Sequence, residues 1–171
     1  MSEGFGHDLS RDVAPARVVS ESTDWTDVTA RVVVEACAAH ADDVVLVRGR
    51  GLDGIESRVR RVVRFPVEGL SIVAFNDVLE HLAMPDQRVV LAEMADALPE
   101  RGLFVIGGKL FSFAPEDIDE PEQFGGGAHA QRIETLERWL RDLGFLPDTH
   151  RFGPGRAVII ALKASRSAGG R

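Results

Sequence analysis

Two short apolar runs, Leu70-Ser-Ile-Val-Ala-Phe75 and Leu103-Phe-Val-Ile106, bracket a helical segment from about Asp86 to Leu98. This is the pattern of a βαβ unit with parallel strands, and it constrains the fold more than any other stretch. Val89, Val90, Ala92, Met94, Ala95 and Leu98 give that helix one broad apolar face. A polar cluster, Asn76, Asp77, Glu80 and His81, follows the first strand directly. Open α/β sheets bind ligands just past the carboxyl ends of their strands, so this cluster is the first candidate site. A histidine there can act as a general base near neutral pH. The bland alternative is that Asp77 and Glu80 begin a short helix and His81 is structural.

The rest of the chain fits one domain of this class. Its 171 residues suffice to bury a core, and 44% hydrophobic with 27% charged residues is ordinary for a globular protein. The single cysteine, Cys37, excludes an internal disulfide and points to a reducing, cytoplasmic setting. It sits in the apolar helical run Val32-Val-Val-Glu-Ala36, which suits a buried structural thiol. No charged-then-apolar leader opens the chain and no apolar run approaches spanning length, so no membrane association is expected. The net charge of −7 disfavours nucleic acid as a partner. The cluster Arg58, Arg60, Arg61 and Arg64 reads as a solvated helix face.

In order, residues 1–15 read as a tail, 16–163 as the domain and 164–171 as a frayed end. Ala16–Val19 could add a strand. A helix runs from Ser22 or Thr23 to about His40, and Val44–Val47 is a short buried strand. Gly49, Gly51 and Gly54 then form a G-x-G-x-x-G, which lets backbone approach a ligand but is weak evidence alone. Glu68 lies near the distance of a dinucleotide fingerprint acid. That reading needs Val62–Phe65 to be a parallel strand, and too few residues separate Phe65 from Leu70 for a crossover. Phe65–Gly69 is therefore read as a loop, preceded by one short helix near Ile55–Arg61. Lys109–Gly127 is a long irregular segment carrying the acids Glu116, Asp117, Asp119, Glu120 and Glu122, read as a solvated flap with no metal assigned. Thr135 is expected to cap a helix bearing Leu136, Trp139, Leu140 and Leu143, and Pro147–Phe152 with Ala157–Lys163 to close the chain as an antiparallel hairpin.

Asn76-Asp-Val-Leu-Glu-His-Leu82, Leu91-Ala-Glu-Met94 and Gly102-Leu-Phe-Val-Ile106 resemble the middle of class I S-adenosylmethionine-dependent methyltransferases. His129–Phe145 resembles the same family. The resemblance implies a Rossmann-like α/β methyltransferase sheet, here reduced, with the second and third strands missing and a closing C-terminal antiparallel hairpin. It carries over Gly49, Gly51, Asn76 and Asp77 as cofactor-binding residues, with His81 and His129 as catalytic ones. The family's first-motif acid falls at Val47, and its ribose-holding acid goes with the lost second strand. Weak or absent S-adenosylmethionine binding is therefore expected. The function implied is that of a truncated methyltransferase-like protein acting on a small molecule in specialised metabolism. The alternative is a non-catalytic or cofactor-independent subunit that completes a larger biosynthetic enzyme.

Deleting the second strand would leave the outer side of Val44–Val47 as an unprotected sheet edge. The sequence therefore predicts a homodimer or a larger protein partner along that strand, burying roughly 800 Å² on each side.

Overall fold

The computed structural model describes residues 25–39, 43–111, 131–152 and 155–165. Helix α1, Trp25–Ala38, leads into β1, Val44–Gly49. A single 3-10 turn at Asp53–Ile55 precedes β2, Arg61–Val63, and β3 follows at Leu70–Asn76. A second 3-10 turn, Leu79–His81, joins β3 to α2, Met84–Ala97, which has Pro85 in its first turn, where no N–H is needed. Then come β4, Leu103–Phe111, and β5, Gln131–Arg132. Helix α3, Ile133–Asp142, and the hairpin β6, Phe145–Phe152, with β7, Arg156–Lys163, complete the domain.

The sheet runs β2-β1-β3-β4-β7-β6, with β5 beside the end of β4. β2, β1, β3 and β4 are mutually parallel, whereas β7 is antiparallel to both β4 and β6. Both faces are covered. On one, Val33, Val34 and Cys37 of α1 pack on Val45, Ile72 and Val105. On the other, Leu91 and Met94 of α2 and Leu136 and Leu140 of α3 cover Val73 and Phe104. Phe104 stands edge-on between Phe75, at 5.5 Å, and Phe145, at 6.0 Å, the geometry that aromatic quadrupoles favour. Cys37 is fully buried, and burial pushes its thiol up to about 12, so it is a packing residue.

The reduced parallel sheet and its closing hairpin are as the sequence implies, but the first crossover is not. Arg61–Val63 forms a strand that pairs in parallel with Val44–Leu46, so the outer side of β1 is covered and is not the sheet edge. The crossover objection fails because β2 and β3 are not neighbours; they lie on either side of β1. β2 is also only three residues long, so its carboxyl end lies two positions from the level of Leu70, and residues 64–69 return easily. The expected helix at Ile55–Arg61 is only the 3-10 turn, whose Ile55 is buried beneath α1.

Helix α2 buries Gln87, Leu91, Met94 and Ala95, while Val89 is exposed. Its inward stripe is thus rotated from the expected one. Thr135 lies inside the first turn of α3, and Arg132 is the N-cap. The expectations for residues 1–19, His40, Glu116–Glu122 and His129 lie outside the described residues.

Candidate functional site

The carboxyl ends of β1, β3 and β4 meet at Asn76, the last residue of β3. In register, Asn76 lies between Gly49 and Gly107. Neither neighbour has room for a side chain. A Cβ on Gly49 (φ +113°) would stand 1.8 Å from the Asn76 carbonyl oxygen, and one on Gly107 2.6 Å from Asn76 Oδ1. Glycine is required at 49 on both counts, close approach and positive φ.

Asn76 also fixes the loop after β1. Its carbonyl accepts from the Arg50 N–H at 3.1 Å, and its Nδ2 donates to the Arg50 carbonyl at 2.8 Å. Its Oδ1 is buried without a hydrogen-bond partner among the described residues. The side chain is wholly buried, so it works as a clamp on the Gly49–Gly51 loop.

Asp77 turns the chain away from the sheet with φ +54°, and its N–H donates to the Gly107 carbonyl at 3.0 Å. Its carboxylate is buried against the guanidinium of Arg156, the first residue of β7. Glu80 completes the group from the turn at Leu79–His81, with Oε2 3.2 Å from where a Gly108 Cβ would be. Burial pushes its carboxyl up to about 7; the hydrogen bond and charge of Asp77 add to the rise, and Arg156 opposes it. Glu80 can therefore hold a proton at neutral pH and share it with Asp77. His81 is exposed at the end of the same turn.

Gly49, Gly51, Asn76 and Asp77 come together at the carboxyl end, with His81 one turn on. Sequence reasoning missed Arg156. The available signal was a charged residue opening the otherwise apolar run Arg156-Ala-Val-Ile-Ile-Ala-Leu162. Arg64, read from the sequence as part of a solvated helix face, instead follows strand β2 directly and donates from Nη1 to the Val47 carbonyl at 3.3 Å. Glu68 is exposed in the loop beyond, off the strand end where a dinucleotide acid would stand.

The cofactor implied by the resemblance meets a mixed reception here. The glycine loop offers approachable backbone. The residue after β2 is a cation, Arg64, however, and the Asp77 carboxylate is committed to Arg156. No group of three metal-ligating side chains occurs among the described residues, and no described helix is long and apolar enough to cross a membrane. A cavity of about 670 Å³ opens at the opposite, amino end of the strands, lined by Leu98, Leu143 and Lys163.

No family model matches the chain, and no curated protein matches it in sequence. Solved structures do resemble it. An O-methyltransferase family protein from Burkholderia thailandensis superposes with a TM-score of 0.61 at 14% identity, over 84% of this chain and 57% of that one. Human N-acetylserotonin methyltransferase, in complex with S-adenosylmethionine, gives 0.59 at 14%, over 81% and 52%. The 1,6-didemethyltoxoflavin-N1-methyltransferase of B. thailandensis, with 1,6-didemethyltoxoflavin and S-adenosylhomocysteine bound, gives 0.52 at 19%, over 82% and 81%. The chain spans little more than half the length of the first two. At such identities the likeness shows the fold, and that fold is class I methyltransferase-like.

Proposed function

We propose that this chain is a reduced methyltransferase-like protein that engages a small molecule at the carboxyl end of its sheet and holds S-adenosylmethionine weakly or not at all. The methyltransferase-like fold, and a neighbour solved with 1,6-didemethyltoxoflavin bound, support the first half. One observation carries the second: Arg64 stands directly after β2, where the family resemblance calls for an acid. A missing charge-assisted hydrogen bond costs about 1.5–3 kcal/mol, roughly ten- to hundred-fold in affinity. An arginine in its place adds repulsion toward the cationic sulfonium.

In this reading the Asn76 clamp holds the Gly49–Gly51 loop open to a ligand. His81 serves the acceptor, and the Glu80–Asp77 pair stores a proton one turn away. A specialised biosynthetic role suits small-molecule chemistry of this kind. Calorimetric titration of the full chain with S-adenosylmethionine tests the reading. Little or no heat is expected, and a micromolar dissociation constant would restore a conventional methyltransferase.

A second reading, a non-catalytic subunit that completes a larger biosynthetic enzyme or pairs with itself, is favoured by the end of the sheet. Among the described residues the edge is β2, three residues long, and Phe65 just past it is 71% exposed. A partner would cover β2 and Phe65, in place of Val44–Val47. Sedimentation at tens of micromolar decides this: a monomer counts against self-association, and a dimer that Phe65→Glu dissociates supports it.

A further inference from the structure

We infer that the rim of the glycine loop is an anion site that takes a phosphorylated small molecule; this rests on the reading that the carboxyl end of the sheet binds a small-molecule ligand. Between residues 48 and 64 the chain carries six arginines and two carboxylates, within a protein of net charge −7. A ligand approaching this end meets a local field opposite to that of the whole molecule.

Three of these arginines belong to the ends of β1 and β2 and the loop between them. Arg48 is the penultimate residue of β1 and half-buried. Arg50 is exposed in the loop, and Arg64 is the first residue after β2. Register puts Arg64 beside Val47, and its guanidinium reaches back to the Val47 carbonyl, which anchors it next to the loop. Arg50 springs from the backbone that Asn76 fixes through two hydrogen bonds. Among the described residues neither Arg48 nor Arg50 has a hydrogen-bond or ion-pair partner for its side chain. Arg58, by contrast, is paired with Glu35.

The nearest buried acid, Asp77, is already neutralised by Arg156, and Asp53 and Glu56 are exposed in the turn beyond. Guanidinium groups bind phosphate oxygens in a bidentate fork, and Arg50 and Arg64 beside the loop, with Arg48 adding charge, suit a multiply charged phosphate better than a single carboxylate.

The test is calorimetric titration of the full chain with inorganic pyrophosphate at low ionic strength. Saturable one-to-one binding that weakens with salt is expected. Arg50→Ala and Arg64→Gln should each weaken it about tenfold or more, with an unchanged thermal midpoint for Arg50→Ala. Arg60→Ala, three residues before the end of β2, should leave it intact. Absence of saturable heat overturns the inference. So does equal weakening by Arg60→Ala, or tighter binding of a single-stranded oligonucleotide that depends on Arg60 and Arg61, which would make the whole segment a nucleic-acid surface. S-adenosylmethionine titrated in the same buffer separates the two proposals. Pyrophosphate silence with cofactor silence sinks only the anion site. Micromolar cofactor binding sinks the reading of a weakened cofactor site, whatever pyrophosphate does.

Discussion

Arg156 and Asp77, separated by 79 positions in the chain, form a buried ion pair that ties the closing hairpin to the end of β3, with Nη2 3.5 Å from Oδ2 as its longer arm. Both side chains are less than a tenth exposed. The pair fills the carboxyl end of the sheet beside Gly107 and Gly108, so the same contact that closes the fold also takes a carboxylate away from any ligand.

Removing one partner leaves an uncompensated buried charge. Asp77→Asn, which tolerates the positive φ at that position, is expected to cost about 3–5 kcal/mol in urea denaturation. Arg156→Met should cost a similar amount. The double variant should recover much of either loss, since it strands no charge. A cost below about 1 kcal/mol for Asp77→Asn would show that the pair is not closed in solution.

Glu80 gives the protein a pH dependence of definite sign. Its folded-state value, about 7, lies above the ordinary 4.5, because burial favours the neutral acid. The folded state therefore binds the proton more tightly than the unfolded one. This stability is fully present below about pH 4.5 and is lost as pH rises through 7. Glu80→Gln should flatten the fall of the thermal midpoint between pH 5 and pH 8. An unchanged slope in the variant would place the titration elsewhere.

Gly49 and Gly54 offer a matched pair within the same glycine-rich stretch. Gly49→Ala drives a methyl group into the Asn76 carbonyl, whereas a Cβ at Gly54 meets nothing within 4 Å. The first should lose more than about 4 kcal/mol or fail to fold, and the second should stay within about 0.5 kcal/mol of the parent. Chemical denaturation of both reads the difference directly.

Lys163 closes the carboxyl end of α2. Its Nζ donates to the carbonyls of Ala95 and Leu98, each at 2.6 Å, and lies 5.9 Å above the Phe145 ring. No glycine ends this helix; Leu98, its C-cap, is extended, so the lysine takes the role that a helix-ending glycine turn often fills. Lys163→Met should cost about 1–2 kcal/mol while preserving the packing volume. A neutral result would mean that water satisfies those carbonyls as well.

Much of this was readable in one dimension. The runs Leu70–Phe75 and Leu103–Ile106, and the helix between them, announce their own structure because enough consecutive residues share one environment. The inward stripe of α3 is equally plain from Leu136, Trp139 and Leu140. β2 is the opposite case. Three residues carry no period, and nothing in Arg61-Val-Val63 distinguishes a strand from a loop until β1 supplies its hydrogen bonds. Helix α2 fails more subtly: with Val89 and Val90 both apolar, the pattern leaves the stripe free to rotate, and packing through Gln87 and Leu91 settles it.

The site divides along the same line. Sequence alone determined where the polar cluster would lie, because such a cluster after a buried parallel strand can only fall at the carboxyl end of the sheet. It also determined that glycines 49 and 51 would form the loop there. Only the tertiary structure decided what those residues are free to do. Asp77 meets Arg156, Asn76 turns inward to hold Arg50, and Arg64 arrives beside Val47, each through contacts between strands far apart in the chain. Local pattern records which face of an element is apolar, but a charge's partner depends on which strands become neighbours, and that is fixed only when the sheet assembles.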